Sequence, residues 1–298
     1  MLEFRPIEIS DKAKADECMS VVQYRSTESA FTDLYLWGEK FNTCVAFENG
    51  FMFVRSGVGA DTRYLFPYGA GKFCAAISAI REDAERMGNT PCMVAVTDAM
   101  RDKLEICHHG EFSYTETRDT FDYIYSTEDL ITLAGRKFSQ KRNHINKFLS
   151  LYDGRYGYED ITAENLPEVA EFQARWVKEN STDENAAGLA HEMVAINRAF
   201  EHFFEIGLIG GIVRVDGDIA AYSFGTPLGD DGFLVSFEKG DYKFEGIYQI
   251  INREFVSRNC AHLKFVNRED DTGSAGLRRA KLSYKPSELL RKYRVNWL

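Results

Sequence analysis

The sequence predicts an α/β chain of two successive domains, each a mixed sheet flanked by helices. Three observations carry this. The chain has 298 residues, about twice the commonest domain size. One order of elements (hairpin, strand, helix, strand, helix) is read twice along it. The apolar period switches between two and 3.6 at corresponding places in both halves. With 44% hydrophobic and 28% charged residues, and no Gly/Ser-rich or charge-block tract, nothing marks a disordered segment.

In the first half, Cys44 to Phe47 and Phe51 to Val54 flank Glu48-Asn49-Gly50 and read as a hairpin. Arg63 to Phe66 is a strand. Lys72 to Met87 is an amphipathic helix with Ala76, Ile77, Ile80 and Ala84 inward. Cys92 to Val96 is a buried strand, and a short helix runs from Asp98 to Cys107. In the second half, a helix after Thr162 places Val169, Phe172 and Trp176 on one face, and another spans Leu189 to Phe204. Leu208 to Val215 and Ile219 to Phe224 pair around Asp216-Gly217, and Gly232 to Phe237 is a third strand. A helix over 246–258 buries Ile247, Ile250, Ile251 and Phe255. A buried strand over 262–266 and a short helix over 275–282 follow. The copies share architecture and almost no residues. The division expected is 1–127 and 128–298, with the second domain carrying the site.

Several function classes drop out. The opening Met1-Leu2-Glu3-Phe4-Arg5-Pro6 lacks the basic-then-apolar pattern of a secretory signal. No run approaches the ~18 apolar residues of a membrane span. No integral membrane segment is therefore expected, and a cytoplasmic protein is, with a lipid reached only from the membrane surface. None of the six cysteines forms a Cys-x-x-Cys pair, and Cys107, His108 and His109 lack metal-ligand spacing. Free thiols and no metal are expected. A net charge of −10 argues against a dedicated duplex-DNA binder.

Against that acidic background stands a basic stretch: Arg136, Lys137, Lys141, Arg142 and Lys147, with Asn143 and His144 among them. On a helix Lys137, Lys141 and His144 share a face. Most charge runs are solvated helix faces; a concentrated cationic face can also hold the phosphates of tRNA, a nucleotide or a lipid head group. A second cluster, Asn267-Arg268-Glu269-Asp270-Asp271, leaves a buried strand ahead of a helix. Acidic groups there suit the helix dipole, and residues at strand ends also face ligand crevices. Glu269 or Asp270 can take a proton or hold a substrate ammonium. Arg278, Lys281 and Lys285 continue the basic character. No Ser-His-Asp spacing or nucleophile elbow is present.

Two helices, a hairpin, a third strand, a helix and another strand is the order of the GCN5-related N-acetyltransferase (GNAT) fold, which the chain from about Glu128 resembles. The resemblance makes the protein a tandem GNAT-like chain with a degenerate first copy. It implies an acyl-transfer centre where the third strand ends, at Glu238, with Tyr222 on the neighbouring strand. It also implies a pyrophosphate loop at Lys243-Phe-Glu-Gly246, whose last small residue is here replaced by Tyr248. The segments Gly135 to Phe148 and Phe265 to Pro286 look like those of bacterial proteins grouped with the C-terminal domain of phosphatidylglycerol lysyltransferase, similar to the Fem-type aminoacyltransferases. That resemblance implies aminoacyl transfer from aminoacyl-tRNA to a lipid hydroxyl or a cell-wall amine, with the tRNA acceptor end as partner. An acyl-CoA-dependent N-acyltransferase is the alternative, and a non-catalytic phospholigand-binding protein is a third. One geometric expectation follows: Lys141, Arg142 or His144, the 267–271 segment, and Arg278 or Lys281 should line one cleft of the second domain.

Overall fold

The computed structural model describes residues 1–298. Its strands, in chain order, are β1 (Arg5–Pro6), β2 (Cys44–Glu48), β3 (Phe51–Ser56), β4 (Arg63–Tyr64), β5 (Tyr68–Gly69), β6 (Cys92–Thr97), β7 (Phe112–Glu116), β8 (Asp122–Ser126), β9 (Tyr156–Asp160), β10 (Ile209–Val215), β11 (Asp218–Leu228), β12 (Gly232–Gly240), β13 (Phe265–Asn267), β14 (Glu288–Leu290) and β15 (Lys292–Trp297). The helices are α1 (Lys12–Ser20), α2 (Phe31–Leu36), α3 (Gly38–Phe41), α4 (Phe73–Arg86), α5 (Asp98–Cys107), α6 (Thr127–Thr132), α7 (Ser139–Tyr152), α8 (Leu166–Asn180), α9 (Ala186–Glu201), α10 (Ile247–Asn259) and α11 (Ala275–Ser283). The fold is mixed α/β, with two mixed sheets flanked by helices. The elements named from periodicity are present, with ends shifted by a few residues. The last buried strand is the main exception: it is shorter and later, 265–267, not 262–266. No helix is long and apolar enough to cross a membrane.

The chain forms two compact units that are discontinuous in sequence. The first comprises 1–123, 269–278 and 289–298, and the second 124–268 and 279–288. In the first unit the sheet order is β1-β2-β3-β4-β6-β15-β7, with β5 beside β3. The last strand of the chain thus fills the gap between β6 and β7, antiparallel to both. α4 and α5 pack Ala76, Ile77, Ile80, Ala84, Met100 and Leu104 into one core with Phe53, Met93, Val96 and Val295. Burial of the larger of these side chains supplies about 1.5–3 kcal/mol each. Cys74 on α4 and Cys107 on α5 form a disulfide, which corrects the expectation of free thiols for that pair; Cys18, Cys44, Cys92 and Cys260 are free.

Within the second unit the strands run β8-β13-β12-β11-β10-β9. β10, β11 and β12 form the antiparallel meander that the Asp216-Gly217 turn dictates. β13 joins β12 in parallel, after the crossover through α10. β12 carries one extra residue at Ser236, between the pairs Phe224↔Phe237 and Gly225↔Val235. Such a bulge bends the strand and re-aims the side chains beyond it. The apolar faces of α8, α9 and α10 close over the sheet, with Phe172, Ile196, Phe224, Phe237, Ile250 and Phe255 among the buried residues.

Candidate functional site

The second unit's polar centre lies where β12 and β13 part. Their pairing covers only Gly232, Phe233 and Leu234 against Phe265, Val266 and Asn267. β13 then ends, while β12 continues to Gly240. The second half of β12 therefore has no strand neighbour on this side, and the sheet opens. Glu238 of β12 and Arg268, the residue after β13, bridge the opening with Oε1 and an Nη 2.9 Å apart. Both side chains are nearly out of solvent, at 11% and 13% exposure. Asn252 of α10 donates to the other Glu238 oxygen at 3.4 Å, and its own carbonyl oxygen, buried, has no partner.

α7 brings Lys141 to this pair. Its Nζ lies 3.9 Å from the centroid of the Tyr284 ring, and Arg268 is held between the Tyr284 and Tyr125 rings at 5.1 and 5.8 Å. The two rings meet edge to face. Burial, then repulsion from Arg268, lowers the Lys141 pKa to about 8, with Glu238 offsetting part of this. Burial also opposes the charge of Arg268, but Glu238, Tyr125 and Tyr284 outweigh it and its pKa is raised. The Tyr284 pKa is raised, chiefly by burial. Lys281 donates to the Arg268 carbonyl at 2.5 Å, and the Tyr125 hydroxyl donates to the Lys281 carbonyl at 2.8 Å, which ties α11 to the end of β13. Two cations thus share one carboxylate, and Lys141 makes no ion pair. Lys141 and Arg268 together outweigh the charge of Glu238, which leaves positive charge available to an anion in surroundings where charge–charge interactions exceed those in water.

Of the residues singled out in the sequence, Lys141, Glu238, Arg268 and Lys281 come together here. Asn267 is buried at the end of β13 beside them. The others do not join. Lys137 pairs with Asp129 at 2.8 Å. Arg142 donates to the carbonyls of Leu133 and Gly135, closing the end of α6. Asn143, His144 and Lys285 are exposed. Tyr222 is a core residue: it stacks on Phe224 and donates to Gln173 at 2.7 Å, where the sequence suggested a substrate contact. Lys243 pairs with Asp241 at 2.8 Å.

Gly246 has a different use from the one expected. It takes a left-handed φ of +88°, and a Cβ there would stand 2.5 Å from the His144 carbonyl oxygen and 3.1 Å from Phe148 Cβ. The glycine lets α7 lie against the start of α10, so protein backbone covers the place where a pyrophosphate loop would open. Glu269, Asp270 and Arg278 belong with the first unit. Asp270 accepts from the Thr272 amide at 2.9 Å, and the Glu269 carbonyl accepts from the Tyr123 amide at 3.1 Å. Asp271 is buried and takes hydrogen bonds from Arg278, Tyr123, Arg118 and the Gly273 amide. The Arg278 bonds lower its pKa most, against the opposing effect of burial. Arg278 also reaches Asp119 at 2.7 Å, so its charge is matched within that unit. Asn252, Tyr125 and Tyr284 complete the β12–β13 site. The ring of Tyr284 is what Lys141 and Arg268 use.

Comparison with known proteins shows the fold and the family. Over 179 residues the chain is 24% identical to an uncharacterized protein of Mycoplasmoides gallisepticum, covering 58% of this chain and 55% of that one. The chain thus spans little more than half the length of this curated relative. A conserved protein of unknown function from Bacteroides thetaiotaomicron is 36% identical, superposes with a TM-score of 0.94 and covers 100% of both chains. The C-terminal domain of a putative lysylphosphatidylglycerol synthetase from Agrobacterium fabrum shares the fold at 10% identity, with a TM-score of 0.68 over 97% of this chain and 92% of that one. FemX shares it at 10% identity and a TM-score of 0.56, over 98% and 97%. The family model described as phosphatidylglycerol lysyltransferase, C-terminal, matches residues 20–296, and with nearly the whole chain so matched, this protein belongs to that family.

Proposed function

We propose that this chain transfers an aminoacyl group from the ester of an aminoacyl-tRNA to a hydroxyl or amine of a lipid or cell-wall acceptor, in the opening between β12 and β13. The observation that carries the reading is Lys141: a half-buried cation without an ion-pair partner, beside the Glu238–Arg268 pair. Lys141 and Arg268 hold a phosphate of donor or acceptor by charge-assisted hydrogen bonds. The arriving anion favours the protonated form of Lys141, so binding and protonation reinforce each other. Glu238 takes the proton of the attacking hydroxyl or amine as it adds to the ester carbonyl. The carbon–oxygen bond to the ribose breaks, the ribose oxygen leaves with the proton that Glu238 took, and the aminoacyl group stays on the acceptor. Positioning the two reactants against each other supplies much of the acceleration, and the step needs no covalent enzyme intermediate.

The test is transfer of label from aminoacyl-tRNA, charged with a mixture of amino acids, to anionic phospholipid vesicles or to cell-wall precursor peptides. Label is expected on one acceptor class, and on neither after Lys141→Ala or Glu238→Gln in protein that keeps its circular dichroism. Failure of the unaltered protein to label either class would overturn the proposal. An acyl-CoA donor is the second reading, motivated by Lys243 and Gly246 ahead of α10. The packing of α7 on Gly246 weighs against it, and micromolar binding of CoA in calorimetry would favour it. Binding of a phosphorylated ligand without turnover is the third.

A further inference from the structure

We propose that the Cys74–Cys107 pair is a thiol-exchange site, a crosslink between α4 and α5 that small thiols open and small disulfides close on the folded protein. The sequence offers no Cys-x-x-Cys signal for it, and the proposed transfer chemistry does not use it. Three observations support the proposal.

The first is access. Cys74 is exposed and Cys107 half-buried, whereas Cys92 and Cys260 are buried. Burial raises the Cys92 thiol and pushes Cys260 up to about 12, which keeps both from forming the thiolate that exchange requires. The second is placement. Cys74 is the second residue of a 14-residue helix, where unpaired backbone N–H groups favour a thiolate. The third is that the two helices do not depend on the bond. Ala76, Ile77, Ile80 and Ala84 of α4 share a core with Met100 and Leu104 of α5. The Cα atoms of the pair are 5.4 Å apart, inside the range that a disulfide spans without backbone movement, and two thiols fit the same separation.

In the opening direction, a small thiolate attacks Cys74 Sγ, the Sγ–Sγ bond breaks, and Cys107 leaves as a thiolate that takes a proton from water. A second small thiolate attacks the mixed disulfide at the small-molecule sulfur and releases the Cys74 thiolate. Two electrons pass to the protein, and two small thiols become one small disulfide. Closing is the reverse.

The test is equilibration of the native protein in buffers of varied glutathione to glutathione-disulfide ratio. It is followed by acid quench, denaturation, labelling with a heavy maleimide and counting by mass. Four labelled cysteines are expected at the oxidising end and all six at the reducing end, lost and gained two at a time. Reduction should leave far-UV circular dichroism unchanged and lower Tm by roughly 5 °C. Cys74→Ser or Cys107→Ser should abolish the two-thiol step, and Cys18→Ser should not. Six labelled cysteines at every ratio would overturn the proposal, as would four at every ratio in native buffer.

Discussion

Each unit holds a lysine beside acidic side chains and away from water, and the two lysines behave oppositely. In the first unit Lys292, only 1% exposed, lies 2.8 Å from Glu28 Oε1 and 2.8 Å from Asp122 Oδ1. Burial opposes its charge, but the two carboxylates outweigh it and hold its pKa above the ordinary lysine value. In the second unit burial lowers the Lys141 pKa, repulsion from Arg268 adds to this rather than offsetting it, Glu238 opposes only in part, and the pKa falls to about 8. Burial alone does not decide what a lysine does; its partners do. A cation matched by two carboxylates fixes a strand in place, and one left over beside a matched pair is available to a ligand.

The comparison can be broken at either end. Lys292→Met leaves Glu28 and Asp122 facing each other without a counter-ion. Denaturant unfolding should show a loss of about 3–5 kcal/mol, the largest effect expected anywhere in the chain. Little change there would mean that the cluster is not structural. Glu238→Gln should weigh on the two readouts the other way: unfolding moves by less than for Lys292→Met, because the amide oxygen can still accept from Arg268, while kcat for transfer drops by about 10² to 10⁴-fold. A stability loss on the scale of Lys292→Met would return Glu238 to the scaffold. Gly246→Ala meets both a left-handed backbone and the His144 carbonyl, so a loss of about 1–3 kcal/mol is expected in thermal melts. An unchanged melt would mean that α7 does not rest on that glycine.

The smallest effect is a pH dependence. The Lys141 pKa in the folded protein lies below its unfolded value of 10.5. Between about 8 and 10.5 the unfolded chain therefore binds the extra proton, and this group's contribution to stability rises with pH. Phosphate binding runs the other way. Affinity for a phosphate-bearing ligand should weaken as pH climbs through 8, with the change absent in Lys141→Met. Calorimetry across that range checks it, and a flat profile would remove Lys141 from the anion site.

Much of the fold was legible because local chemistry sets it. Asp216-Gly217 turns β10 into β11, and Ile247, Ile250, Ile251 and Phe255 give α10 its inward face. What could not be read is what distance in sequence hides. Nothing in the alternation of β15 says that it lies between β6 and β7, or that β8 lies beside β13. The site was half legible for the same reason. Glu238 was reachable from fold position and Lys141 from the basic run. Glu269 and Asp270 resemble a site in sequence because charge is dense there, but the Glu269 carbonyl and the Asp270 carboxylate accept from Tyr123 and Thr272 of the first unit. Arg268, in the same run, is distinguished by the strand it leaves. Lys292 looks no different in sequence from the exposed Lys285; only the register of β15 places it against Asp122.

The position of β15 also sets an order of events during synthesis. β6 and β7 leave the ribosome well before β15, and the place between them is unfilled until residues 292–297 are made. Roughly 175 residues separate the end of β7 from the start of β15, which at ~5–20 residues per second is a wait of roughly 10 to 35 s. Throughout it the facing edges of β6 and β7 carry unpaired amides and carbonyls, the kind of edge that other chains can pair with. The second unit's meander, by contrast, is complete as soon as β12 is made. The sheet of the first unit therefore waits for β15, while the meander of the second unit waits for no later strand.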